Sequence, residues 1–135
     1  MNVASERMWS MMITGSDELA ETLGLEAPPE VFAPARATAA VDLWLRGREA
    51  PLDDEEAAEL GFFLARVLVE THGGGLALIR AAAHPLDGEW AVTGFERGIA
   101  ADYHVPFVVS AVRIGVDRSL SAADWYAQLL REGAG

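Results

Sequence analysis

The segment from Leu52 to Gly75 constrains the fold more than any other part of the chain. Asp53 stands where a carboxylate can cap the amides of a first helical turn, and Glu56, three residues on, can reach back to the Asp53 amide. Leu52 and Ala57 take the positions of a hydrophobic staple. Leu60, Phe63, Leu64, Val67 and Leu68 then recur at helical spacing, while Phe62, Ala65 and Val69 add apolar surface on the flank. A helix this apolar must be covered over most of its circumference, which predicts a core helix from Asp53 to Thr71. Gly61 inside it sacrifices about 1 kcal/mol relative to alanine, so a neighbouring backbone or ring is expected to pack closely there. His72 and the three glycines that follow end the helix, His72 reading as a C-cap whose imidazolium would suit the helix dipole.

With 135 residues, 51% of them hydrophobic, the chain is long enough for one core and short for two, so residues 1–135 read as a single domain. The formal net charge of -11 opposes a phosphate backbone and an anionic membrane surface alike. All 10 basic residues are arginine, a bias that fits a GC-rich genome. The absence of cysteine removes disulfides, thiolate zinc sites and thiol nucleophiles together and fits a cytoplasmic location. No signal-peptide core and no run of about 20 apolar residues is present, so no membrane association is expected.

At the N-terminus, Met8 with Met12 and Trp9 with Ile13 pair at helical spacing, and residues 1–13 read as a short helix or a loose arm. A second helix is expected to start at Ser16, capped by its hydroxyl with Asp17 and Glu18 in the first turn, and to end at Gly24. Ala27 to Pro34 reads as an extended connector. Pro34 suits a first helical position. Ala37, Ala40, Val41, Trp44 and Leu45 then form one apolar stripe, with Asp42 and Arg46 turned away, and Gly47 closes the element.

Beyond the glycines, Leu76 to Ala81 and Glu89 to Phe95 read as strands joined through Pro85 and Asp87-Gly88, with Ile99 to Val105 as a third. Trp90 and Val92 should share one strand face. Phe107 to Ile114 is rich in Val and Ile, yet Pro106 before it and Gly115 after it favour a helix. The last helix has Ser121 as cap, Asp124 at the capping-box position and Trp125, Leu129 and Leu130 to dock it. The expected fold class is α+β: N-terminal helices, a small antiparallel three-stranded sheet, and one or two C-terminal helices on the same sheet face.

Leu60-Gly61 in a long helix, His72-Gly73-Gly74, the paired strands, Val105-Pro106, and Ser119-Leu120 before an aromatic-bearing helix together resemble a group of small uncharacterised bacterial α+β domains. In that group a Trp often follows the helix-ending glycines, whereas Leu76 stands there in this chain. The resemblance implies a fold and no activity, because similar folds host unrelated functions.

The chemistry-bearing residues are sparse. Asp102 and His104 form an Asp-x-His pair that a strand would place on one face, and with His84 they are the candidate centre of a metal-binding module or small enzyme. The glycines at 73–75 follow a helix rather than preceding one, so they do not form a phosphate loop. No serine sits in a Gly-x-Ser-x-Gly elbow. The acidic run Asp53 to Glu56, with Glu59, could bind a cation or a basic partner, but the positive end of a helix explains it better. Among four tryptophans, Trp44 and Trp125 lie on apolar stripes, which leaves Trp9 and Trp90 as candidate partner-binding aromatics. No catalytic residue, metal or cofactor emerges. The leading expectation is a non-catalytic cytoplasmic interaction protein, immunity-type or chaperone-like, whose acidic surface meets a basic protein partner. Homodimerisation through a sheet edge or the N-terminal arm is a further expectation.

Overall fold

The computed structural model describes residues 3–25 and 32–134. Its elements run α1 (Val3–Thr22), α2 (Pro34–Arg46), α3 (Asp54–His72), β1 (Gly75–Leu78), β2 (Trp90–Thr93), β3 (Val105–Pro106), α4 (Phe107–Ala111) and α5 (Ala122–Glu132). This is the expected α+β fold, with helices before and after a three-stranded antiparallel sheet of order β1-β2-β3. No helix among the described residues is long and apolar enough to cross a membrane.

α3 is built as its sequence requires. Asp53 accepts from the Glu56 amide at 2.8 Å, and Glu56 accepts from the Asp53 amide at 3.1 Å. Arg48 adds a two-pronged pair to the same Glu56 carboxylate at 2.7 and 3.0 Å, which ties the preceding loop to the cap. Leu60, Phe63, Leu64, Val67 and Leu68 are all but completely buried. α1, α4 and β2 each cover part of the helix. At Gly61 a Cβ would stand 3.2 Å from the Phe107 carbonyl oxygen and from the Val108 Cα, so α4 lies directly on the glycine, as its place in the helix foretold.

The N-terminal segment corrects the sequence reading. Val3–Thr22 is one helix of 20 residues rather than an arm followed by a helix starting at Ser16. Ser16 is buried in its middle, donating to the Ile13 carbonyl at 3.0 Å and accepting from Arg66 at 3.1 Å. The Ser-Asp-Glu pattern imitates a helix start, but tertiary partners consume it: Asp17 also faces Arg66, at 3.5 Å. Gly24, with φ +71°, ends the helix as expected, and the Leu25 amide folds back to the Ala20 carbonyl at 2.9 Å. The connector expected from Ala27 falls largely outside the described residues.

α2 starts at Pro34 and buries Ala37, Val41 and Leu45. Asp42, expected to face solvent, instead accepts from the Ala122 amide at 2.7 Å and the Ala123 amide at 3.1 Å, the first two of α5. Ser121 takes the Asp124 amide at 3.0 Å as anticipated. Two acceptors from different elements thus satisfy the start of α5, which docks chiefly on α2. Trp125 and Leu129 are buried, whereas Leu130 is exposed.

The strands are shorter than their apolar runs. Leu76 faces Val92 and Leu78 faces Trp90. Ala91 and Val92 are both fully buried, so β2 is covered on both faces, and Trp90 is half-buried. The third strand keeps only Val105 and Pro106. Residues 99–104 spend their backbone groups elsewhere: Ala100 donates to the Gly133 carbonyl at 2.7 Å, and the Tyr103 carbonyl accepts from Thr93 Oγ1 at 2.8 Å. After Pro106 the chain is helical as expected, but α4 runs on into a π turn (Val112–Val116) that contains Gly115 instead of ending before it.

Two substitutions test this packing. Replacing Gly61 by valine pushes α4 off α3 and should lower unfolding free energy by about 2 kcal/mol in urea titrations; an unchanged midpoint contradicts the close approach. Asp42→Ala should cost about 1 kcal/mol through loss of the cross-helix cap, and an equal loss in Arg46→Ala would show that the cap is not the cause.

Candidate interaction groove between helices α1 and α3

α1 makes its principal contact with α3. Gly15 permits that contact, because a Cβ there would stand 2.6 Å from the Phe62 ring atom Cδ2. Phe62 in turn leans on Phe107, with ring centroids 5.9 Å apart. Arg66 fastens the two helices: it reaches Ser16 and Asp17 on α1, pairs with Glu70 at 2.8 Å, and stacks over the Phe32 ring at 4.6 Å. Beside this seam opens a groove of about 420 Å³. Met11, Gly15, Ala58 and Phe62 supply its apolar surface, and Met11 is 46% exposed, unusual for so large an apolar side chain.

Carboxylates from both helices rim the groove. In the acidic run at the start of α3, Asp53 caps the helix and Glu56 is held by Arg48 and the cap. Glu55 and Glu59 are left to line the groove, where Glu18 of α1 joins them. None of these three forms an ion pair among the described residues. Burial raises the Glu59 pKa above the usual glutamate range, and the neighbouring charges of Glu18, Glu55 and Glu56 raise it further. Arg7 is the single basic residue in the lining. Ser10 and Thr14 complete the polar part of the lining.

The residues singled out from sequence lie elsewhere. Trp9 and Trp90 are half-buried against the core, and neither lines this groove. Asp102 and His104 are exposed, and His104 Nδ1 donates to the Asp102 backbone carbonyl at 2.8 Å rather than meeting its carboxylate. His84 does line a shallow groove with His104, yet its Nδ1 accepts from the Leu86 amide at 3.1 Å. That bond selects the tautomer with the proton on Nε2, whereas a ligating nitrogen needs a free lone pair. Among the described residues no three His, Cys, Asp or Glu side chains gather as metal ligands.

His72, expected as a charged C-cap, is buried. Its Nδ1 faces the Arg97 carbonyl at 3.0 Å and must carry the proton of that bond, while Nε2 lies 2.7 Å from the Tyr126 hydroxyl. Burial raises the Tyr126 pKa, which keeps the phenol protonated. His72 therefore joins α3 to α5 through its bond to the Tyr126 hydroxyl. A second groove, between α2 and the start of α5, mixes apolar and polar side chains, but its Asp42 oxygens are spent on α5 amides and its Arg118 donates to the Arg48 carbonyl at 3.1 Å.

In the sequence Phe62 and Glu59 are legible only as flank surface and helix-terminus charge, and nothing there brings Met11 beside them, because each lies on the flank of its helix. The available signal was Gly15, a small residue inside a helix whose cost calls for a bulky neighbour. Comparison with protein-family models, with curated proteins and with solved structures found no match.

Proposed function

We propose that this chain is a non-catalytic protein-interaction module whose α1–α3 groove receives a basic amphipathic helix from a partner protein. One observation carries the reading: an apolar strip of exposed Met11 and half-buried Phe62 bordered by Glu18, Glu55 and Glu59, none of them neutralised by an ion pair among the described residues. Helix-in-groove recognition needs an apolar trough for the anchors and a charged margin for register, and the two occur together here. Like charges crowded around Glu59 are relieved when a cation enters, so the same feature that disfavours the free protein favours the complex. The net charge of -11 steers such a partner toward the surface and repels nucleic acid. A cysteine-free chain is compatible with work in the cytoplasm, and an immunity-type or chaperone-like role is the class this arrangement suits.

The test titrates isotope-labelled protein with a synthetic amphipathic helix of alternating Leu and Arg faces, and with the same peptide carrying Glu in place of Arg. Amide shifts should centre on Met11, Gly15 and Phe62 with the basic peptide and be absent with the acidic one. Shifts centred elsewhere, or equal affinity for both peptides, would overturn the proposal. A bound cation favours the ionised carboxylate, so binding releases protons, and affinity should fall as pH drops through the raised Glu59 titration.

Glu59→Gln separates the two roles. In the free protein a raised carboxylate pKa means stability is fullest at low pH and declines as pH rises through it. Removing that charge should therefore raise the melting temperature at pH 7 while weakening the basic peptide roughly fivefold. Loss of both stability and affinity would mark Glu59 as merely structural.

A further inference from the structure

β1 is an edge strand, and its hydrogen-bond parity leaves a defined set of groups facing outward. The Ile79 amide donates to the Glu89 carbonyl at 2.8 Å, and the register pairs Ala77 with Ala91 and Gly75 with Thr93. In an antiparallel ladder bonded and non-bonded positions alternate. Gly75, Ala77 and Ile79 therefore bond inward to β2 and its extension, while the N–H and C=O groups of Leu76 and Leu78 point away from it. Those outward groups have no hydrogen-bond partner among the described residues.

Natural sheets protect such edges with charge, proline, bulges or a covering element. Gly75 to Ile79 contains no charged residue and no proline. The opposite edge differs, since β3 has only two residues, ends on Pro106 and passes directly into α4.

The geometry points to a second copy of this chain as the occupant of the β1 edge, paired antiparallel about a two-fold axis at Ala77. The outward positions Leu76 and Leu78 are symmetric about that residue. Leu76 of each copy then faces Leu78 of the other, and their outward amides and carbonyls satisfy one another in a continuous sheet of both copies. Charge favours the same arrangement. A copy carrying -11 is repelled by most of the surface, but this strip is neutral. The next outward position, Arg80, makes no ion pair among the described residues. In this register it falls opposite Gly74 of the second copy. Next to Gly74 is Gly73, and the Glu96 carboxylate lies 2.7 Å from where a Cβ on Gly73 would stand. Each Arg80 is thereby brought toward the opposing Glu96, an exposed carboxylate that Arg97 of its own chain holds at 3.3 Å through one oxygen, twice over by symmetry. Leu78, Ile79 and Leu86, which line a groove of about 360 Å³ at the end of the strand, extend the contact with apolar surface. An interface built on four residues per strand is small, so the dimer is a concentration-dependent one.

Sedimentation equilibrium of the full chain from about 5 µM to about 500 µM tests this directly. The mass should rise from 14.5 kDa toward twice that value. Hydrogen exchange at Leu76 and Leu78 should slow only at the high end. Arg80→Glu, at an exposed side chain, and Leu78→Lys, which puts a charge in the strip, should each weaken the dimer at least about tenfold with the circular dichroism spectrum unchanged. If Leu78→Lys fails to fold, Arg80→Glu decides the matter alone. A mass of 14.5 kDa throughout, or a dimer that Arg80→Glu does not weaken, overturns the inference.

Discussion

The burial of α3 on nearly every side is the constraint from which the rest of the structure follows. Leu60, Phe63, Leu64, Val67 and Leu68 each remove most of their apolar surface from water, at about 1.5–3 kcal/mol per side chain. No single neighbour can cover such a helix. α1 takes one side, α4 another, β2 the next, and α2 approaches with α5 docked behind it. The small residues mark where these neighbours come nearest: Gly61 under the α4 backbone, Gly15 under the Phe62 ring.

That arrangement also produces the groove. Because α1 sits close on α3 at Gly15, the flank of Phe62 stays partly uncovered and the acidic first turns of α3 are brought beside Glu18. The charges of Glu55 and Glu59 serve the helix N-terminus, yet among the described residues only Glu56 of the acidic run finds an arginine. A surface assembled to satisfy a helix dipole thus presents unneutralised carboxylates around an apolar trough. In the proposed interaction stability and recognition compete at Glu59, where burial and like charges oppose ionisation in the free protein.

Much of this architecture was legible in the chain, and the divide follows the range of the interactions. The capping box at Asp53, the Gly24 stop, Pro34 at the start of α2 and Ser121 at the start of α5 are local devices whose partners lie within a few residues, and they appear as read. Ser16 and Asp42 misled because their partners are 50 and 80 residues distant: one is bound by Arg66 on α3, the other caps α5. The third strand was overestimated for a related reason, since Tyr103 and Ala100 give their backbone bonds to Thr93 and Gly133 instead of to a ladder. The groove was least legible of all. Met11, Phe62 and Glu59 matter by juxtaposition of two helix flanks, and periodicity reports a helix's principal face, not its flanks.

Native-state hydrogen exchange resolved by residue tests the central claim, that α3 is the element on which every other depends. The amides of Leu64 to Leu68 should exchange only through global unfolding, while those of α5 and β1 exchange through smaller openings. Core amides of α3 exchanging at lower free energy than those of α5 would contradict it.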